Sequence, residues 1–144
     1  MWTITTGTDE GIVVNRFEGK FDTDFLLKYV KSNIYCWAIY PVIWDLSKAD
    51  LSTTATEDII TLVEEAKTLT EIRKGEKTAI VAPTDLSYGL MGMFVSLAEQ
   101  TAIEIEFQTF RDYTDAKKWL LQHKSPISRP TRTRAVAVAS GKPL

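Results

Sequence analysis

The sequence of 144 residues holds a single cysteine, Cys36, and a single histidine, His123. One thiol excludes an internal disulfide and any multi-cysteine metal site, and one imidazole removes most zinc and histidine-based catalytic constellations. Long hydrophobic runs are missing as well. The longest, residues 34–44, has 11 residues and contains Pro41, too short to cross a bilayer. The start, Met1-Trp2-Thr3-Ile4-Thr5-Thr6, lacks the basic region and apolar segment of a secretion signal, so a cytoplasmic protein without a transmembrane segment is expected. What is present is ordinary for a globular chain. Hydrophobic residues make up 44% and charged residues 25%, which excludes disordered and fibrous classes. The length suits one domain that buries a core without metal or disulfide.

Charge is unevenly placed. Residues 124–144 carry Lys124, Arg129, Arg132, Arg134 and Lys142 with no acid, while the first 123 residues carry the other 12 cations against all 19 acids. An acidic body argues against nucleic acid as a partner, because phosphate binding needs clustered cations on the folded surface. The tail contains Pro126, Pro130 and Pro143 and no periodicity. It reads as a flexible extension, too dilute in charge and too poor in aromatics to hold RNA or a membrane. The expected division is therefore a domain over residues 1–123 and a basic tail over 124–144.

The body reads as strand and helix in alternation. Residues 2–6 and 12–17 are β-branched runs around Gly7-Thr8-Asp9-Glu10-Gly11, a hairpin pattern. A helix capped by Asp22 or Thr23 follows and is expected to end at Ser32-Asn33. A short strand, Val42-Ile43-Trp44, finishes at Asp45. Thr54-x-x-Glu57 reads as a capping box opening a second helix, with Arg73 and Lys74 at its negative end and Gly75 closing it. Thr78-Ala79-Ile80-Val81-Ala82 has the continuous apolar character of a central parallel strand. Residues 86–100 form a third helix, residues 103–109 an alternating strand, and Asp112 caps a last helix burying Ala116, Trp119 and Leu120. This order implies right-handed crossovers: an α/β fold with a mostly parallel sheet of about five strands, an N-terminal hairpin and about four helices.

The segments Phe17-Glu18-Gly19-Lys20-Phe21, Ile43-Trp44-Asp45-Leu46-Ser47, Lys77-Thr78-Ala79-Ile80-Val81-Ala82-Pro83 with Tyr88-Gly89-Leu90, and Phe110-Arg111-Asp112 ahead of Ala116 and Trp119-Leu120 occur in a telling order. Over about residues 1–122 they resemble the STAS domains, the family of anti-sigma-factor antagonists. More narrowly they are similar to its SpoIIAA-like branch, which is also compared with the lipid-binding CRAL-TRIO fold. The resemblance implies a non-enzymatic regulatory module working through protein contacts. Its CRAL-TRIO side implies, as an alternative, a carrier or sensor of a small apolar ligand or lipid. An enzyme whose site is not visible is the remaining class.

Asp45, at a strand end, and the hydroxyls Ser47, Ser52, Thr53 and Thr54 behind it form a candidate phosphoacceptor or switch loop. In the sigma-antagonist STAS domains this region resembles a phosphorylation switch built on an Asp-Ser-Ser-Gly-type motif. Here the matching stretch is Thr53-Thr54-Ala55-Thr56-Glu57, and Thr54 is accounted for as a helix cap. A receiver-type aspartate would need neighbouring acids to hold Mg²⁺ and a late lysine, neither of which is evident. Cys36 lies among Ile34, Tyr35, Trp37 and Ile39, the setting of a buried inert thiol, and nothing brings His123 to it. Gly89-x-x-Gly92 matches no phosphate loop. No catalytic residue, cofactor or metal site is called for.

The third helix is the oddest segment. No charge occurs from Leu86 through Ala98. At helical spacing Leu86, Leu90, Met93, Phe94 and Leu97 should face the sheet, leaving Tyr88, Met91 and Val95 on the opposite side. Those three are expected to meet a second copy, a protein partner or a lipid, with the methionine as adaptable packing.

Overall fold

The computed structural model of the chain describes residues 2–122. The expected basic tail and His123 lie outside the described residues. β1 (Trp2–Asp9) and β2 (Ile12–Lys20) pair antiparallel. Their two-residue loop, Glu10-Gly11, has φ of 52° and 82°, the doubly left-handed turn whose twist matches the strands it joins. Then follow α1 (Thr23–Trp37), β3 (Val42–Asp50), α2 (Thr56–Thr68), β4 (Lys77–Val81), α3 (Asp85–Glu99), β5 (Glu106–Phe110) and α4 (Tyr113–Gln122). One five-stranded sheet runs β1-β2-β3-β4-β5, with β2 to β5 parallel. The expected α/β architecture of five strands and four helices is present.

Strand order explains the layering. Each crossover moves to the next strand in the same direction, and right-handed connections of that kind stack their helices on one face. Leu26 of α1, Ile59, Leu62 and Val63 of α2, and Met91 and Phe94 of α3 share one buried cluster with Phe17, Leu46 and Ile80 of the sheet. α4 alone serves the other face, where Ala116, Trp119 and Leu120 pack on Ile12, Val14, Ile43, Ala79 and Val81. The parallel strands never reverse order, so the fold has no switch-point crevice of the dinucleotide-binding kind.

Several local expectations are corrected. α1 runs through Ser32-Asn33 to Trp37 because Asn33 donates to its own helix at the Tyr29 carbonyl, 2.8 Å away. Its start is as expected: the Asp22 carboxylate accepts from the Phe25 N–H at 3.0 Å. β3 continues past Asp45 to Asp50 because β2 keeps pairing with it, around an irregularity between Arg16 and Glu18. β5 begins at Glu106 rather than Ile103. Cys36 is exposed on α1, not buried. The N-cap of α2 is Ala55, not Thr54, and the Asp58 carboxylate accepts from the Ala55 N–H at 2.8 Å.

The face assigned to α3 is rotated. Its buried stripe is Ser87, Met91, Phe94 and Ala98, while Leu86 is 50% exposed. α3 sits between α2 and β5, so coverage comes from two sides. Ser87 tolerates burial because it shares hydrogen bonds with the capping Thr84. Met91, at 4% exposure, belongs to the intrachain core and is unavailable to a partner; Val95 packs half-buried against the same cluster. Tyr88 remains 37% exposed, with the Arg111 guanidinium 4.4 Å from its ring centre.

Candidate functional site

The switch loop read from the sequence is not one site. Asp45 lies within β3, where its carboxylate accepts from the Ser47 N–H at 3.0 Å and hydroxyl at 2.6 Å and meets Arg16 Nε at 3.5 Å. Ser52 follows the strand end and donates its N–H to Asp50 at 2.9 Å. Hydrogen bonds from Ser52, its hydroxyl first and then its N–H, hold the Asp50 carboxyl below its usual range. The five residue steps from Asp45 to Asp50 span roughly 16 Å and the three from Ser47 roughly 10 Å, which sets Asp45 and Ser47 back along the strand from Ser52, Thr53 and Thr54. Ser47, Ser52 and Thr53 are exposed. The Thr54 hydroxyl is buried and, among the described residues, without a hydrogen-bond partner.

Beneath α1 the molecule opens into a chamber of about 130 Å³. Its floor is Val42, Trp44 and Leu46 of β3 with Ile80 of β4, its roof Leu26, Leu27, Val30 and Ile34 of α1, and its far walls come from α2 and α3. The spacing of the α1 side chains accounts for the roof, since positions three and four apart line one helical face. The helix is held at its margins. Phe25 stacks on Trp2 with ring centres 3.4 Å apart. The Tyr29 hydroxyl shares a hydrogen bond with Thr6, and Thr6 donates to Asn15 at 2.7 Å. Lys31 pairs with Glu65 of α2 at 3.1 Å.

The closed end of the chamber is Arg73, which the sequence places at the end of the second helix; α2 stops at Thr68, and Arg73 lies beyond it. It is 4% exposed. Nη1 donates to the carbonyls of Trp37 at 2.9 Å and Tyr40 at 2.6 Å, and Nη2 to the Lys77 carbonyl at 3.0 Å and the Thr78 hydroxyl at 2.9 Å. α1 has no basic residue in its last turn. Arg73 supplies that cation from the α2–β4 connection, adding a donor to the Trp37 carbonyl that also accepts from the Tyr40 N–H at 2.9 Å, and meeting the Tyr40 carbonyl in the turn beyond. No local pattern could have shown this, because Trp37 and Tyr40 lie 36 and 33 residues away.

Three lining side chains are polar: Glu65, Arg73 and Thr78. Glu65 is engaged by Lys31, and both terminal nitrogens of the Arg73 guanidinium are committed, with Thr78 as one acceptor. The rest of the lining is aliphatic and aromatic, with Trp37 and Trp44 set edge to face, 5.9 Å between ring centres. The lining as a whole is therefore apolar, with its three polar side chains already engaged. Among the described residues no three His, Cys, Asp or Glu side chains converge as metal ligands would, and no helix is long and apolar enough to cross a membrane.

No protein-family model matches the sequence, and no curated protein matches it. Several solved structures share its fold. One, an uncharacterised protein of the DUF3478 family with a SpoIIAA-like fold from Shewanella loihica PV-4, is 20% identical, with 83% of this chain and 93% of that one covered and a TM-score of 0.50. Another, an anti-sigma factor antagonist from Mycobacterium paratuberculosis, is 14% identical, with 84% and 95% covered and a TM-score of 0.56. The fold is STAS/SpoIIAA-like.

Proposed function

We propose that the protein is a non-enzymatic binding module of the cytoplasm that takes a small, uncharged, apolar ligand in the chamber beneath α1. The observation that carries this reading is a 130 Å³ space whose few polar groups are all engaged. An apolar cavity of about 150 Å³ is enough to bind benzene. Charge is selected against: a carboxylate inside would be desolvated with no donor to receive it.

Trp37 and Trp44 line the space, so their fluorescence reports occupancy. Titration with indole and with a matched indole carboxylate should give saturable quenching for the neutral compound only. Ala66→Phe, which fills the chamber from α2, should keep the fold and abolish the response. Equal binding of the charged compound, or full binding by Ala66→Phe, would overturn the reading.

The likeness to an anti-sigma factor antagonist supports a second reading, a regulatory module that works through protein contacts. Its contact surface would then use the exposed Tyr88 with the flanking Val95, and the exposed hydroxyls of Ser47, Ser52 and Thr53. Intact mass from the native host checks the phosphoacceptor part of this reading: an added phosphate on Ser47, Ser52 or Thr53 supports it, and persistently unmodified protein counts against it.

A further inference from the structure

Among the described residues, β1 has a strand on one side only. Its ladder with β2 decides which backbone groups are free. Asp9 and Ile12 close the two-residue loop and so form a hydrogen-bonded pair, and such pairs alternate along an antiparallel ladder. Thr3, Thr5, Gly7 and Asp9 therefore turn their N–H and C=O groups towards β2. Trp2, Ile4, Thr6 and Thr8 turn theirs to the open edge. Proteins commonly protect such an edge with lysine, proline, a bulge or a very short strand. β1 has none of these: it is 8 residues long, uncharged and free of proline from Trp2 to Thr8, and in unbroken register with β2. The opposite edge strand, β5, has 5 residues and opens on Glu106.

We propose that β1 pairs antiparallel with β1 of a second copy of this chain, across a two-fold axis at Thr5, so that two sheets become one. That register sets Trp2 opposite the second copy's Thr8 and Ile4 opposite its Thr6. The four residues with free groups on each edge then face one another, giving about eight backbone hydrogen bonds. A shift of one residue would set them against groups already bonded to β2. Two further observations select a second copy as the occupant. The exposed side chains Thr3, Thr5, Thr6 and Thr8 offer neither pocket nor charge by which to choose a foreign strand, whereas the register sets Thr5 of each copy opposite the other's, a pairing that attracts. The body is also acidic, with 12 cations against 19 acids in residues 1–123, so copies repel except along a strip without charge, and β1 is such a strip.

The test is sedimentation velocity of the full chain over a wide concentration range. Thr5 lies opposite Arg16 within the chain, so Thr5→Glu fits a single copy but sets two carboxylates against each other at the axis. Thr5→Lys does the same with two ammonium groups. The wild type should reach twice the chain mass with rising concentration, each variant should remain at the chain mass with unchanged circular dichroism, and an equal mixture of the two should recover the dimer. Hydrogen exchange gives a reading that needs no variant: the Ile4, Thr6 and Thr8 amides should become protected as concentration rises. A wild type that stays at the chain mass, a dimer that survives in both variants, a mixture that fails to recover it, or unprotected edge amides in a dimer would each overturn the proposal.

Discussion

The Arg73 guanidinium binds the carbonyls of Trp37 and Tyr40 at 2.9 and 2.6 Å, so a residue beyond α2 fixes the end of α1 and closes the chamber. Arg73→Met removes four hydrogen bonds and leaves buried acceptors without donors, which should cost roughly 3 kcal/mol. Arg73→Lys keeps the charge but not the planar fork, so it should destabilise in the same direction by less. Denaturant midpoints of the two variants check both values. Near-wild-type stability in Arg73→Met would mean the guanidinium does not hold α1.

The start of α2 depends on Asp58 rather than Thr54. Thr54→Val replaces a buried, unpaired hydroxyl with an isosteric methyl group and should be neutral or slightly stabilising. Asp58→Ala removes the acceptor of the Ala55 N–H and should cost about 0.5–2 kcal/mol. Thermal melts of the pair distinguish this from a cap at Thr54, which would reverse the order.

Much of the fold was legible because its signals are local. Alternating apolar runs, the Gly11 turn, the Asp22 cap and the continuous apolar strand Lys77–Val81 each act within a few residues. The chamber was not legible, because it is made by the distance of α1 from the sheet and by Arg73 meeting carbonyls from another segment. The turn of α3 was misjudged for a related reason. Periodicity finds an apolar sector but cannot weigh Ser87 and Ala98, small residues that allow close approach, against Leu86, which stays in water. The loop after Asp45 was misplaced because β2 keeps pairing with β3 beyond the point where β4 leaves it.

Alkali and acid should both weaken the contact between α4 and the hairpin. The Tyr113 hydroxyl donates to Asp9 at 2.7 Å, and Lys117 binds the same carboxylate at 3.0 Å. Burial, then the bond to Asp9, pushes the Tyr113 phenol from 10.0 up to about 12. A raised folded value stabilises below the unfolded one, so this contribution is whole below pH 10.0 and is lost as pH rises towards about 12. Asp9 is held below 3.8 by Tyr113 and then Lys117; its contribution is present above 3.8 and is lost as pH falls through the lowered value. Tyr113→Phe should melt lower at neutral pH and show a smaller fall in melting temperature between pH 10 and 12. An unchanged alkaline fall would place its origin elsewhere.

Val95 and Tyr88 separate an internal from an external role for α3. Val95 packs half-buried on the cluster holding Met91 and Phe94, so Val95→Arg forces a cation against apolar neighbours. It should lower stability by about 1–3 kcal/mol. Tyr88 is pinned from outside: Arg111 lies over its ring and also donates to Asp85 at 2.7 Å, joining the end of β5 to the start of α3. Tyr88→Ala should therefore cost only about 0.5–1 kcal/mol, the worth of an exposed cation–ring contact. Chemical unfolding of the two variants decides between the roles. If Val95→Arg melts like the wild type, the flank of α3 faces solvent or a partner, and the buried stripe through Ser87, Met91, Phe94 and Ala98 is the wrong phase for this helix.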